Sequence, residues 1–321
     1  MVRAVTRQKT IVGLGELLWD ILPGGARLGG APANFAVMAG RLGNHAVVAS
    51  RVAADDLGKE ARAELEKLPV ESGYLQHESE YATGTVTVAL EGGEPEYTIH
   101  EPVAWDRLAL TADWRELAGR ADAVCFGTLA QRNAASRETI LGFLGATRPG
   151  CVRIFDANLR GRHWSGEVLR DSLAWTTIAK VNARELAHVL MGTGACPYPV
   201  FSEDEHEIVR AARRLLERYP MKMVCVTLGA RGSVLVTRRE HHRHPGLAAR
   251  VKDTVGAGDA FTAALAHYYL EGAPLETLNE AGNRWGAWVA SQSGGMPPLR
   301  AETLETMADE IAGRGPARRV G

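Results

Sequence analysis

The sequence predicts an α/β fold with a largely parallel central sheet. Short apolar, β-branched runs alternate with amphipathic helical stretches along most of the chain, the pattern of βαβ units. Apolar residues make up 45% and charged residues 23% of the 321 residues, close to the globular average, which argues against disorder, collagen and coiled coil. One stretch breaks the alternation. Residues 84–100, GTVTVALEGGEPEYTIH, read as a hairpin around Gly92-Gly93 and suggest a lid or edge ribbon projecting from the main sheet.

The elements follow in order. Thr10 to Gly15 (TIVGLG) is a short continuous apolar run, so a buried strand. Ala31 to Leu42 is a helix, with Pro32 in its first turn and Gly43 just past its end. Ala46 to Val52 reads as one strand and Leu57 to Leu68 as an amphipathic helix. After the hairpin, Ala123 to Gly127 is a strand and Ser136 to Leu144 a helix. Cys151 to Asp156 is a strand running into a polar loop, Val168 to Trp175 a helix and Ile178 to Asn182 a strand. Glu205 to Tyr219 is a charged amphipathic helix. Met223 to Thr227 and Ser233 to Thr237 flank LGARG as a second hairpin. Ala260 to Glu271 is a helix rich in small residues, stopped by Gly272, and Ala281 to Ser291 is another. The histidines of REHHRH (His241, His242, His244) have no carboxylate or thiol at ligand spacing and read as an exposed polar turn.

Composition narrows the function. The 37 basic and 38 acidic residues leave a net charge of −1, with no basic field to hold a nucleic-acid backbone. The 4 cysteines are far apart and form no CxxC, as expected of a reduced, cytoplasmic protein. No run of about 18 apolar residues is present to span a membrane, and the N-terminus lacks the apolar core of a signal peptide.

The segment that carries chemistry is KDTVGAGDAFTAAL, Lys252 to Leu265. Gly256 and Gly258 bracket Ala257 just before a helix. Glycines let successive N–H groups converge, and a helix N-terminus adds free donors and positive partial charge, which together make an anion site. Asp259 then stands in the first turn. Taken alone it fits two roles: a helix cap, or a base that takes a proton from a hydroxyl attacking a phosphoryl group. No GxxxxGK[ST] occurs, and GxGxxG is incomplete after Gly13-Leu14-Gly15, so neither a P-loop nor a dinucleotide fingerprint is present.

The same segment resembles the C-terminal signature of the ribokinase-like carbohydrate kinases of the phosphofructokinase B type, DTxGAGDxFxxG/A. The match falls at Asp253, Thr254, Gly256, Ala257, Gly258, Asp259, Phe261 and Ala264. Gly29 to Asn34 (GGAPAN) followed by AVMAGRLG resembles the N-terminal signature of that family. Asp156 to Arg160 (DANLR) and Glu101 to Asp106 (EPVAWD) are similar to segments of the bacterial fructokinases. The resemblance covers nearly the whole chain.

It implies a three-layer α/β/α sandwich over residues 1–313 as one kinase domain, a β lid from about 14–28 and 84–100, and a flexible tail at 314–321. It further implies ATP-dependent phosphorylation of a sugar, fructose at its primary 6-hydroxyl first among candidates, with Mg2+ on the nucleotide. Asp259 becomes the base, and Gly256, Ala257 and Gly258 the anion hole. Asp20, Gly30, Asn34, Asn158 and Arg160 become sugar-side residues, with Trp19, Val103 and Trp105 walling the pocket. Asn182 and Glu185 match an NxxE motif, Glu185 toward Mg2+ through water; as bare sequence they are also an N-cap and its capping-box partner. Thr227, Gly229 and Gly232 fall on the nucleotide side, and Asn283 falls near adenine. Asp253 and the Val255 carbonyl match a monovalent-cation loop, a K+ site, although Pro298 stands where a side-chain oxygen would be wanted. The lid implies a homodimer. The alternatives are a kinase for another sugar or a nucleoside, or a sugar-binding regulator without turnover.

Overall fold

Side chains that alternate along buried strands divide the molecule into layers. In β1 (Thr10–Leu14), Ile11 faces one apolar cluster, while Val12 and Leu14 face another on the opposite side of the sheet. The structure, a computed structural model, describes residues 7–91, 94–196 and 201–313; the expected Gly92-Gly93 turn and the tail at 314–321 lie outside the described residues.

From β1 the chain forms an antiparallel pair, β2 (Leu18–Leu22) and β3 (Gly25–Gly29), and enters α1 (Ala31–Arg41). The strand expected over residues 46–52 is in fact two. β4 (His45–Ala49) pairs with β1, then the chain breaks at buried Ser50, and β5 (Arg51–Ala53) leaves the main sheet. Next come α2 (Asp56–Leu65), β6 (Gln76–Glu78), which pairs with β5, and the ribbon of β7 (Gly84–Glu91) and β8 (Glu94–Ile99). The regular alternation then runs through α3 (Ala112–Arg120), β9 (Ala123–Phe126), α4 (Ala134–Ala146), β10 (Val152–Asp156), α5 (Gly166–Trp175), β11 (Ile178–Asn182), α6 (Ala183–Gly192), α7 (Glu205–Arg218) and β12 (Met223–Thr227). β13 (Ser233–Val236), β14 (His241–His244), α8 (Ala257–Leu270), α9 (Leu275–Ala290) and α10 (Ala301–Ile311) complete the described chain.

The main sheet has the order β14-β13-β12-β11-β10-β9-β1-β4, parallel from β12 to β4 and antiparallel at the β13–β14 edge. One apolar cluster packs α3 to α7 on one face through Leu117, Phe143, Leu173, Leu186 and Leu215. The other packs α1, α8, α9 and α10 on the opposite face through Phe35, Phe261, Trp285 and Ile311. This is the expected α/β/α sandwich. β3-β2-β7-β8 form a separate four-stranded sheet, where the lid was expected.

Two helices start earlier than expected, and α6 adds to the expected elements, each for a local reason. α8 starts at Ala257 because Gly256, in left-handed conformation at φ 77°, caps it. α9 starts at Leu275, behind Pro274 as its N-cap residue. α6 is set by a capping box: Asn182 Oδ1 accepts from Glu185 N at 2.9 Å, and Asn182 N donates to Glu185 Oε2 at 2.8 Å. The REHHRH segment is an edge strand rather than an exposed turn. His244 is buried there, with Nε2 2.8 Å from Glu280 Oε2. Among the described residues no helix is long and apolar enough to cross a membrane.

Candidate active site

The topology itself points to the site. β1 has β4 on one side and β9 on the other, so the chain reverses its direction of travel across the sheet at β1. In open α/β sheets a crevice opens beyond the carboxyl ends of the strands at such a point. Glu16 follows β1, Thr128 follows β9, and Asp156 closes β10 ahead of Asn158 and Arg160. The N-terminus of α8 meets the same edge. Glu16, Thr128, Asp156, Asn158 and Asp259 share a small pocket there with Phe35 and Phe126, with room for about one water molecule.

The anion nest forms as the glycines require. A side chain at Gly256 would be strained by its φ of 77° and would place a carbon 2.4 Å from Gly295 Cα. Ala257 N–H donates to Thr254 O at 3.3 Å. The next two N–H groups, of Gly258 and Asp259, make no hydrogen bond within the described chain and remain as open donors at the helix start. Asn34 Nδ2, from α1, donates to Asp259 Oδ2 at 2.8 Å. Asp259 keeps part of its surface open to the cleft. Burial, and then the charge of Asp156, raise its carboxyl to about 6, against the Asn34 hydrogen bond and the charges of Lys180 and Arg160. A carboxylate that titrates near 6 is ionised at neutral pH yet basic enough to take a hydroxyl proton.

On the opposite wall, Asp20 sits on β2, half-buried; burial raises its carboxyl while the nearby Arg160 lowers it. Arg160 is exposed, and its charge lowers the carboxyls of Asp20, Glu16 and Asp259 alike. Asn158 has φ 39°, the one positive value at a non-glycine residue among those described, and it bends the DANLR loop over the pocket. Gly30 has φ 109°, and a side chain there would strike Glu16 O at 2.4 Å; the close approach is to this carbonyl. At the end of β12, Thr227 Oγ1 donates to Val181 O at 3.4 Å, and Gly229 and Gly232 take φ of 60° and 81° in the turn that follows.

Several expected site residues serve the scaffold instead. Trp19, Val103 and Trp105 are buried and do not line this pocket. Trp105 lies beneath Gly84 of β7 with the Arg132 guanidinium stacked 3.9 Å from its ring centre. Asn283 donates to Ser233 Oγ and Asn279 O, both at 2.7 Å, and holds α9 to β13 rather than facing a cleft. Asp253 accepts from Val255 N at 3.0 Å, Gly294 N at 3.0 Å and Arg27 Nη1 at 3.3 Å. A guanidinium thus already sits on the carboxylate that a K+ site would use, and the residues do not fit that ion. Glu185 accepts from Leu159 N at 3.0 Å and from Asn182 N at 2.8 Å, so its capping role is realised. Each of its oxygens keeps a lone pair, which suits a hydrated Mg2+ carried on nucleotide phosphates. No cluster of three His, Cys, Asp or Glu side chains that could hold a metal occurs among the described residues.

Glu16 is a functional candidate that sequence reasoning missed. It is 4% exposed, its Oε2 has no hydrogen-bond partner, and burial, with the charge of Asp259 adding to it, raises its carboxyl to about 7. The signal available was its place directly after the first parallel strand.

Comparison with known proteins agrees with this geometry. Residues 24–302 match the model of the pfkB family carbohydrate kinases. A putative sugar kinase of Pyrococcus horikoshii is 28% identical over 313 residues, covering 92% of this chain and 94% of that protein. Its crystal structure in complex with ATP superposes with a TM-score of 0.76 at 27% identity, over 94% of this chain and 99% of that one. A fructokinase of Klebsiella pneumoniae is 32% identical over 265 residues, 78% of this chain and 81% of its own. The crystal structure of a fructokinase from Vibrio cholerae O395 with fructose, ADP and calcium bound has a TM-score of 0.76 at 26% identity, over 94% of this chain and 98% of that one.

Proposed function

The chain belongs to the pfkB family of carbohydrate kinases and is a phosphotransferase with an alcohol acceptor, and from that premise we propose that it moves the γ-phosphoryl group of ATP to the 6-hydroxyl of fructose. The observation that carries the chemistry is the Asn34–Asp259 hydrogen bond at the mouth of the nest. It brings the two signature segments together around one carboxylate. The choice of sugar is supported by the likeness to the fructokinases of Klebsiella pneumoniae and Vibrio cholerae.

In this reading Asp20 and Asn34 accept and donate hydrogen bonds to the sugar and aim its primary hydroxyl at Asp259. Asp259 takes the hydroxyl proton as the sugar oxygen forms its bond to the γ-phosphorus. The bond from that phosphorus to the bridging oxygen breaks, and its electron pair leaves with ADP. The N–H groups of Gly258 and Asp259 hold the oxygens of the transferring group, and Arg160 adds a planar donor set beside them. Asn182 and Glu185 stand at the end of β11 to hold hydrated Mg2+. When bound, that ion neutralises phosphate charge. The second sheet closes over the sugar and excludes water, which limits hydrolysis of ATP. Its outer strands β3 and β8 offer edges to a second copy, giving a homodimer. Four free, buried cysteines suit a reducing, cytoplasmic setting.

The test is release of ADP from Mg-ATP across fructose, ribose, tagatose, 2-keto-3-deoxygluconate, adenosine and fructose 6-phosphate. Preference for fructose is the expected result. Preference for another acceptor overturns the substrate and keeps the chemistry. No turnover on any of them favours a sugar-binding protein that has lost catalysis.

A further inference from the structure

The strongest charge near the nest that this chemistry leaves unused is the ammonium of Lys180. Lys180 lies in β11, between β10 and β12, and is 8% exposed. Its Nζ sits 3.1 Å from both carboxylate oxygens of Asp156, itself 4% exposed at the end of β10. Thr262 Oγ1, from α8, lies 3.1 Å from Asp156 Oδ2 and 2.8 Å from Gly258 O, bridging the two with a single proton that goes to one acceptor at a time. The pair is therefore tied to the first turn of α8. A methyl group built on Gly258 would lie 2.9 Å from Lys180 Nζ, so the ammonium is directly beneath the nest.

Burying an ion pair is expensive, and a well-packed apolar pair of similar volume is commonly as stable or more so. Stability alone gives no reason for this one. We propose that the buried Lys180–Asp156 pair is a positioning device for phosphoryl transfer: Lys180 supplies fixed positive charge under the Gly256–Asp259 nest, and the two charges together poise Asp259 from behind. The proposal rests on the reading of Asp259 as the base.

Two signs make the role specific. Asp156 raises the Asp259 carboxyl, and Lys180 lowers it. The other groups near Asp259 are Arg160 from the loop after β10, Glu16 from the end of β1, Asn34 from α1 and the Cys125 thiol of β9, which burial pushes well up so that it stays neutral. Lys180 itself faces the carboxylates of Asp156, Glu185 and Asp259, which keep it charged against its burial. An ammonium fixed in a low-dielectric floor acts on charge that develops on the transferring oxygens without having to reorganise.

The experiment measures kcat and kcat/KM for the preferred sugar against pH in the full chain, for wild type, Lys180→Met, Asp156→Asn and the double variant. Lys180→Met should move the acid limb up by about 1 pH unit, and Asp156→Asn should move it down by a similar amount. The double variant should return the limb near its wild-type place while kcat stays about 10-fold or more below wild type. Single variants that move the limb in the same direction, or folded variants that leave it unmoved, overturn the proposal. Lys180→Met strands a buried carboxylate; where that variant fails to fold, the double variant, neutral at both positions, decides, and wild-type kcat in it refutes the role. Asp259→Asn is run alongside. If it stays active, the base reading fails, and the ratio of ATP to ADP affinity in the double variant still tests the charge beneath the nest: a ratio lower than wild type upholds it, and an unchanged ratio overturns it.

Discussion

Asn34 Nδ2 donates to Asp259 Oδ2 at 2.8 Å, joining residues 225 positions apart in the chain. The bond stabilises the ionised carboxylate and opposes the burial that raises it to about 6. Activity should therefore fall as the pH drops through about 6, because Asp259 must be ionised to accept a proton. Asn34→Ala removes the opposing bond, so the acid limb of kcat/KM should move to higher pH. A limb that stays in place in a folded variant contradicts this link.

The buried carboxyl of Glu16 makes a prediction about stability. Burial raises it from 4.5 to about 7 in the folded chain. Between those values the folded state holds a proton that the unfolded state has released, so stability falls as pH rises through the window, and the whole cost is present above about pH 7. Glu16→Gln removes the titrating group. The variant should gain about 2 °C or more in Tm relative to wild type at about pH 8, and less at about pH 4.5. Thermal melts at both pH values check this. An equal gain or loss at both would mean that Glu16 is not held as a buried acid.

Asp20 belongs to the sugar side. It is half-buried on β2, with the charge of Arg160 facing it. Asp20→Ala should raise KM for the sugar by about 10-fold or more, the cost of leaving substrate hydroxyls unpaired, and change KM for ATP far less. Equal loss for both substrates, measured by steady-state kinetics with each varied in turn, would remove Asp20 from the sugar site.

Much of this architecture is legible in the amino-acid order. β1, β9, β10, β11 and β12 read as short apolar runs because both faces of a covered parallel sheet are dry. GGAPAN and GAGD announce the two helices that carry Asn34 and Asp259, since glycine geometry and helix starts are local properties. What stayed hidden depends on distant packing. Glu16 is a lone charge between β1 and β2, and only the arrival of α1 and α8 closes the pocket around it. Lys180 looks like an exposed strand residue until Asp156, from the neighbouring strand, neutralises it. Trp105 and Asn283 carry side chains suited to ligands, but Arg132 and Ser233 occupy them first. The break at Ser50 is marked by no residue but that one serine, because it is made by β5 pairing with β6.

The central claim is that Asp259 is the base of a sugar kinase, and one measurement reaches it directly: turnover and ATP affinity of Asp259→Asn, compared with wild type. Asparagine keeps the shape of the side chain and the glycine nest but cannot take the proton. The account predicts a loss of about 10²- to 10⁴-fold in kcat with ATP affinity little changed. Near-normal turnover in this variant would contradict it.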